Sequence, residues 1–257
     1  MNLPAKDPLS RFSDRVENYI KYRPGYPPEI LRLLEERCRL SRHTRVADIG
    51  SGTGILTEMF LRSGMAVDAV EPNIEMRKAA ENLLGSLAGF ASHDGCAEQT
   101  GLEAESVDLI VAAQAFHWFD RPRAKAEFRR ILAPGGWVAL IWNDRETATT
   151  PFLKRYEELL HGLRTDYPAI NHMNISAEVL GEFFAPNRFE TATFRNAQSF
   201  DFEGLRGRCL SSSYVPNVGQ AGHDEMLAEL KEIFDTHQVD GQVEFRYTTQ
   251  VHLGNFC

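Results

Sequence analysis

Paired cysteines are missing from this 257-residue chain. Its four cysteines stand at 38, 96, 209 and 257. None form a CxxC pair and none lie near a histidine at zinc-ligand spacing, so neither a zinc site nor a disulfide framework is expected. Free thiols in a reducing compartment are the expectation instead. Long apolar runs are also lacking. The longest, Val107 to Phe119, contains Asp108, Gln114 and His117. It is too short and too polar to span a bilayer. The opening MNLPAKDPLSRF has no apolar segment of the signal-peptide kind. A cytoplasmic protein without a membrane partner is therefore expected. Positive charge is in deficit, with 28 Lys and Arg against 36 Asp and Glu, a net −8. Such a balance argues against a nucleic-acid partner, whose phosphates reward broad basic surfaces. Internal repeats and low-complexity tracts are absent as well.

What is present is alternation. Arg45 to Ile49 is a short apolar run ending at glycines, as in a buried strand. Ile55 to Arg62 carries apolar residues at helical spacing, with Gly64 placed to end it. Met65 to Val70 reads as a strand. Ile74 to Leu84 reads as a helix capped by Asn73. Ala88 to Ser92 and Val107 to Ala113 are further strand candidates. A helix over Arg123 to Leu132, stopped by Pro134-Gly135-Gly136, precedes a strand over Trp137 to Trp142. This order predicts an α/β fold, a parallel sheet with helices on both faces. An N-terminal helical segment, about 14–38, is broken at Arg23 to Pro28. Later come helices near 150–162, 176–184, 202–213 and 222–237, and strands over Phe189–Phe194 and Val243–Val251.

The strongest local signal is Val46-Ala47-Asp48-Ile49-Gly50-Ser51-Gly52-Thr53-Gly54. A strand runs into alternating glycines and then a helix. Glycine admits positive φ and lets a ligand approach the backbone. In open α/β sheets ligands sit beyond the carboxyl ends of the strands, where this loop falls. The spacing is GxGxG rather than the dinucleotide GxGxxG. Glu71 closes the second strand, where a carboxylate accepts ribose hydroxyls or is merely solvated. Asp94, in His93-Asp94-Gly95-Cys96-Ala97-Glu98, follows the third strand and is placed to face an adenine amino group. The three strand ends together describe a nucleoside pocket.

The series ADIGSGTG, VEPN, HDGCAE, AQAFHWFD and LAPGGWVALIW resembles the class I S-adenosylmethionine-dependent methyltransferases. YRPGYP and SSSYVP extend the likeness to the type 11 methyltransferase-domain group, which includes trans-aconitate methyltransferase-like enzymes. The resemblance implies a Rossmann-like seven-stranded, mostly parallel sheet in the order 3-2-1-4-5-7-6, its last strand antiparallel. It implies an N-terminal lid over 1–42, a cofactor-binding core over 43–143 and a substrate cap with strands 6 and 7 over 144–257. The cofactor would be S-adenosyl-L-methionine and the product S-adenosyl-L-homocysteine. Asp48, Gly50, Ser51, Gly52, Thr53 and Gly54 would line the methionine end. Glu71 would hold the ribose, with Pro72, Asn73 and Met76 beside the adenosine. Asp94 would meet the adenine amino group, with Gly95, Cys96 and Ala97 around the ring. Gln114, Ala115 and Phe116 would approach the methyl group.

A sulfonium methyl is already activated, so such an enzyme chiefly aligns reactants and excludes water. A carboxylate acceptor needs no base, whereas a hydroxyl or carbon acid does. His117 is the candidate base, although it is equally placed to pack beside Trp118. Tyr19, Tyr22, Arg23 and Tyr26 are candidates for a lid. Tyr22, Arg23, Trp118, Arg206 and Arg208 are candidate acceptor contacts, since arginine suits carboxylates. Arg145, Arg164, Arg188 and Arg195 are further cap arginines. Phe116, Trp118, Phe183 and Phe184 suit an apolar pocket or an ordinary core. Asn143-Asp144 is one fragment of a magnesium site with no partner after the fourth strand, so no metal is expected. Gln114-Ala115-Phe116-His117 stands where nucleic-acid amino methyltransferases carry Asn/Asp-Pro-Pro-Tyr. The expectation is O-methylation of a small-molecule organic acid by a monomer or homodimer. Competing readings are a nicotinamide-dependent oxidoreductase, disfavoured by GxGxG and by the missing Tyr-x-x-x-Lys, and a non-catalytic cofactor-binding protein.

Overall fold

A computed structural model describes residues 16–163 and 175–256. Arg164, Cys257 and the start of the expected first helix at 14 lie outside the described residues. In chain order the elements are α1 (Val16–Tyr22), α2 (Glu29–Cys38), β1 (Arg45–Ile49), α3 (Ile55–Arg62), β2 (Ala66–Val70), α4 (Ile74–Leu84), β3 (Phe90–His93) and β4 (Val107–Ala113). There follow α5 (Arg121–Ile131), β5 (Leu132–Arg145), α6 (Pro151–Gly162), α7 (Ala177–Phe184), β6 (Phe189–Phe200), α8 (Phe202–Leu210), α9 (His223–His237) and β7 (Val243–Gly254). The seven strands form one sheet in the order β3-β2-β1-β4-β5-β7-β6. The pairs β1/β2, β1/β4, β2/β3 and β4/β5 are parallel.

The described residues group into two compact units. One holds 25–143, 175–194 and 249–256; the other holds 16–24, 144–163 and 195–248. In the first, alternate residues of the central strands feed two apolar clusters. Val46, Leu109, Val111, Ala139 and Ile141 pack with α2 and α3, through Ile30, Leu34, Leu56 and Phe60. Ala47, Ile49, Ile110, Ala112, Val138 and Leu140 pack with α5 and α7, through Phe128, Ile131, Leu180 and Phe183. Covering both faces is why these strands read as unbroken apolar runs rather than as alternation. The second unit has its own core, built by α6, α9 and the first half of β7 around Tyr156, Leu230 and Phe245.

Local chemistry sets the element ends. Asn73 caps α4, its side chain accepting from the Met76 N–H at 3.0 Å. Gly64 takes φ +85 just after α3 and donates its N–H to Leu61 O, closing the helix as expected. Two expectations need correction. Strand β5 begins at Leu132, inside the expected helix end, because Leu132 pairs with Val107 before a register shift. Pro134-Gly135-Gly136 therefore interrupts a strand rather than preceding one, with Gly135 at φ +80. Helix α8 stops at Leu210, not 213, and the Ser211 hydroxyl donates back to the Arg208 carbonyl at 2.7 Å.

Candidate functional site

In the first unit, the chain leaving β1 turns through the glycine loop. Gly50 and Ser51 donate their N–H groups to Val70 O, at 2.9 and 3.2 Å. The loop is thereby fastened to the end of β2. Gly54 takes φ +84, and a Cβ there would meet Leu84 Cδ1 at 2.4 Å, so only glycine lets α3 start against α4. Gly52, at φ +58, faces open space instead, with nothing within 4 Å of where a Cβ would stand. Packing explains Gly54, whereas Gly52 leaves its backbone accessible to a ligand.

Two carboxylates frame this loop. Glu71 is buried, and its two oxygens accept the Gly52 and Asn73 N–H groups, each at 2.8 Å. Burial raises its pKa against the pull of those two bonds. Asp48 is 1% exposed and accepts the Thr57 hydroxyl at 2.6 Å through Oδ2. Burial pushes its pKa up to about 7, opposed by the Thr57 bond, and the charge of Glu71 adds to the rise. Three buried polar atoms here have no hydrogen-bond partner among the described residues: Asp48 Oδ1, Ser51 Oγ and Thr53 Oγ1. Buried polar atoms are normally satisfied, so this cluster marks a place for a ligand with polar groups. An acceptor carboxylate and two hydroxyls suit the amino-acid end of the cofactor that the resemblance implies.

Arg77 was not among the expected residues. Its Nη1 donates to Glu71 O at 2.7 Å and to Asp94 at 3.1 Å. It thus ties the ends of β2 and β3 together. The Asp94 side chain is 75% exposed and paired with this guanidinium. Pro72 is partly buried, while Asn73 and Met76 are buried. After Asp94, Gly95 packs so tightly that a Cβ would meet Thr100 O at 2.7 Å. Cys96 and Gln99 exchange backbone hydrogen bonds at 3.1 Å, and Ala97 is buried.

Beyond β4, Gln114 holds φ +55, a left-handed conformation costly for a side chain with a Cβ. Its Nε2 donates to Asn143 O at 3.2 Å. Asn143 was expected only as a metal fragment. Its side-chain amide is committed instead, donating to Gly25 O at 3.1 Å and accepting the Thr249 hydroxyl at 2.6 Å. Ala115 is buried against the glycine loop, where a Cβ on Gly50 would meet its own at 2.6 Å. Phe116 corrects the expectation. Its side chain is fully buried among Phe119, Trp142 and Phe183, so it stabilises the core rather than presenting a surface to a ligand. Phe183 and Phe184 are core residues likewise. His117 lies in a single 3₁₀ turn with its ring 4.7 Å from that of Trp118.

The second unit gathers the other candidates. Arg206 is half-buried and pairs through Nη1 with Glu203 on its own helix at 3.4 Å. Arg208 is 5% exposed. Its Nε donates to the Tyr247 hydroxyl and its Nη1 to the Ser212 hydroxyl, both at 3.3 Å. Arg23 donates to Ser211 O at 3.0 Å and stacks on Tyr19. Burial, and then the like charge of Arg208, lowers its pKa. Tyr22 lies over Gly207, where a Cβ would come within 1.9 Å of the ring. The lid candidates therefore divide: Tyr19, Tyr22 and Arg23 belong to this unit and Tyr26 to the first. Tyr156 and Tyr247, which line the same arginines, carry no signal in the sequence.

Comparison with known proteins agrees with the geometry. The methyltransferase-domain family profile of type 11 matches residues 47–140. A putative methyltransferase from Dictyostelium discoideum is 31% identical over 255 residues, covering 90% of this chain and 89% of its own. An uncharacterized methyltransferase from Schizosaccharomyces pombe is 29% identical over 242 residues, covering 93% and 94%. The solved structure of a putative type II methyltransferase from Anaeromyxobacter dehalogenans shares the fold with a TM-score of 0.68, at 22% identity over 91% of this chain and 98% of that one.

Proposed function

The chain belongs to the class I S-adenosylmethionine-dependent methyltransferases, in the type 11 methyltransferase-domain group, and from that premise we propose that its acceptor is a small organic acid, methylated on oxygen by in-line displacement. S-adenosylmethionine supplies a methyl group already activated on a sulfonium. In this reading residues 43–143 bind the cofactor. Asp48, Ser51 and Thr53 offer it the polar atoms that have no partner among the described residues. Glu71, held by two backbone N–H groups, offers its remaining lone pairs to the ribose hydroxyls. Asp94 and Arg77 border the adenine end.

The observation that carries the substrate class is Arg208. Among the described residues, this guanidinium, on a residue 5% exposed, stacks on Phe245 and finds hydroxyls rather than carboxylates as hydrogen-bond partners, those of Tyr247 and Ser212. Carboxylates are the usual partners of buried arginines, which bind them bidentately. An acid held there is ionised near neutral pH and attacks without a general base. His117 then has no proton to remove, which agrees with its packing on Trp118. The test uses S-adenosylmethionine labelled in the methyl group and a panel of aliphatic acids. Label in a product that releases methanol in mild alkali supports an ester. Label appearing only in alkali-stable products, or only with amines, contradicts the substrate class.

A further inference from the structure

Among the described residues of the second unit, buried positive charge exceeds buried negative charge. Arg145, Arg23 and Arg208 bring three guanidiniums. Arg145 is paired with Glu157 and stacked on Tyr156. Arg23 and Arg208 have no carboxylate partner among the described residues; their hydrogen bonds run to the Ser211 carbonyl and to the hydroxyls of Tyr247 and Ser212. The two sit side by side. They bond to consecutive residues of one turn, and the phenols of Tyr214 and Tyr247 lie within electrostatic reach of both. Leaving two like charges together in a protein interior is unfavourable unless a counter-charge arrives.

Two independent atoms point the same way. The Nε of Arg23 is sealed from solvent with no acceptor among the described residues. The hydroxyl of Tyr156, on a residue 1% exposed and beside Arg208 and Arg145, has no partner among them either. A buried phenol, a buried N–H and two uncompensated guanidiniums in one cluster are the lining of an anion site, and their charge sets its valence.

We infer that the Arg23–Arg208 pair binds a doubly charged anion, so that the acceptor carries two negative charges rather than one. This rests on the methyltransferase reading and sharpens its substrate class. A dicarboxylate and a phosphate monoester share the required chemistry. Arg23, which enters from the segment after α1, is then the residue that selects the second charge.

The experiment is equilibrium binding by calorimetry to the full chain. The probes are the straight-chain dicarboxylates from malonate to adipate, the monocarboxylates of matched length, and glycerol 3-phosphate. S-adenosylhomocysteine is titrated separately. At least one dianion should bind more tightly than every monoanion, by about tenfold or more. Arg23→Gln should shrink that preference to about threefold or less, with S-adenosylhomocysteine binding kept. The melting temperature of the ligand-free protein should stay level or rise in Arg23→Gln and Arg208→Met, because an uncompensated charge has been removed. A structural role would lower it. Tightest binding of glycerol 3-phosphate would make the dianion a phosphate monoester; tightest binding of a dicarboxylate would make it a carboxylic acid. Monoanions binding as tightly as dianions would overturn the inference, as would the absence of any acid binding while S-adenosylhomocysteine binds. Failure of S-adenosylhomocysteine itself to bind would instead overturn the reading beneath it.

Discussion

The two units bury ionisable groups of opposite kind, acids in one and bases in the other, and handle them differently. In the first, two carboxyl groups stand toward strand ends and neutral donors meet much of their need: Glu71 accepts two backbone N–H groups and Asp48 accepts the Thr57 hydroxyl. In the second, two guanidiniums lie side by side and only neutral oxygens answer them. A cofactor with a cationic sulfonium and ammonium belongs with the carboxylates, and an anionic acceptor with the guanidiniums. In the proposed reading the contrast teaches one lesson, that each site leaves buried ionisable groups for a ligand to complete.

The comparison is most easily broken on the carboxylate side, where the glycine loop is tightest. Gly54→Val sets a β-branched residue at φ +84 with Leu84 at 2.4 Å. The expected loss is about 3 kcal/mol or more of unfolding free energy, read from urea titration. An unchanged midpoint would mean that the loop is not the rigid platform described.

A pH series on Asp48→Asn sharpens the charge argument. The folded Asp48 has its pKa raised to about 7, so the native state holds a proton that the unfolded chain releases above its ordinary carboxylate range. Its contribution to stability is therefore greatest at low pH and is lost as pH rises toward 7. Between pH 5 and 8 the melting temperature of the native sequence should fall relative to Asp48→Asn, whose neutral amide does not titrate. A constant gap would refute the buried, elevated carboxyl.

Smaller effects test which residues lie outside the two sites. His117→Ala should keep acid methylation within about threefold, since a carboxylate needs no base. A loss of about a hundredfold would restore the base reading. Arg206→Ala should change turnover by less than about twofold, because its exposed pair with Glu203 is a weak surface contact.

The two sites were not equally legible in the sequence. The glycine loop, Glu71 and Asp94 each follow directly on a strand, and strands in a parallel sheet end together, so local spacing was enough to gather them. The alternation predicted a parallel sheet with helices on both faces, whereas the order of its strands came from the resemblance to class I methyltransferases. Arg206 and Arg208 were inseparable because they differ by two positions, which places them on opposite sides of a helix that only packing can orient. Tyr156 and Tyr247 come from α6 and β7, and no local pattern joins a helix to a strand so far along the chain. Phe116 read as a ligand contact because it follows β4; a cluster of aromatic neighbours drew its side chain inward. The start of β5 was masked by Pro134-Gly135-Gly136, which reads as a helix stop although the strand resumes across it.

The most direct measurement is a calorimetric titration of S-adenosylhomocysteine into the native sequence, Glu71→Ala and Arg208→Met. The account predicts binding that weakens at least tenfold (about 1.4 kcal/mol) in Glu71→Ala and changes by less than about twofold in Arg208→Met. Equal weakening in both variants, or tight binding that survives Glu71→Ala, would contradict the assignment of cofactor to the carboxylates and acceptor to the arginines.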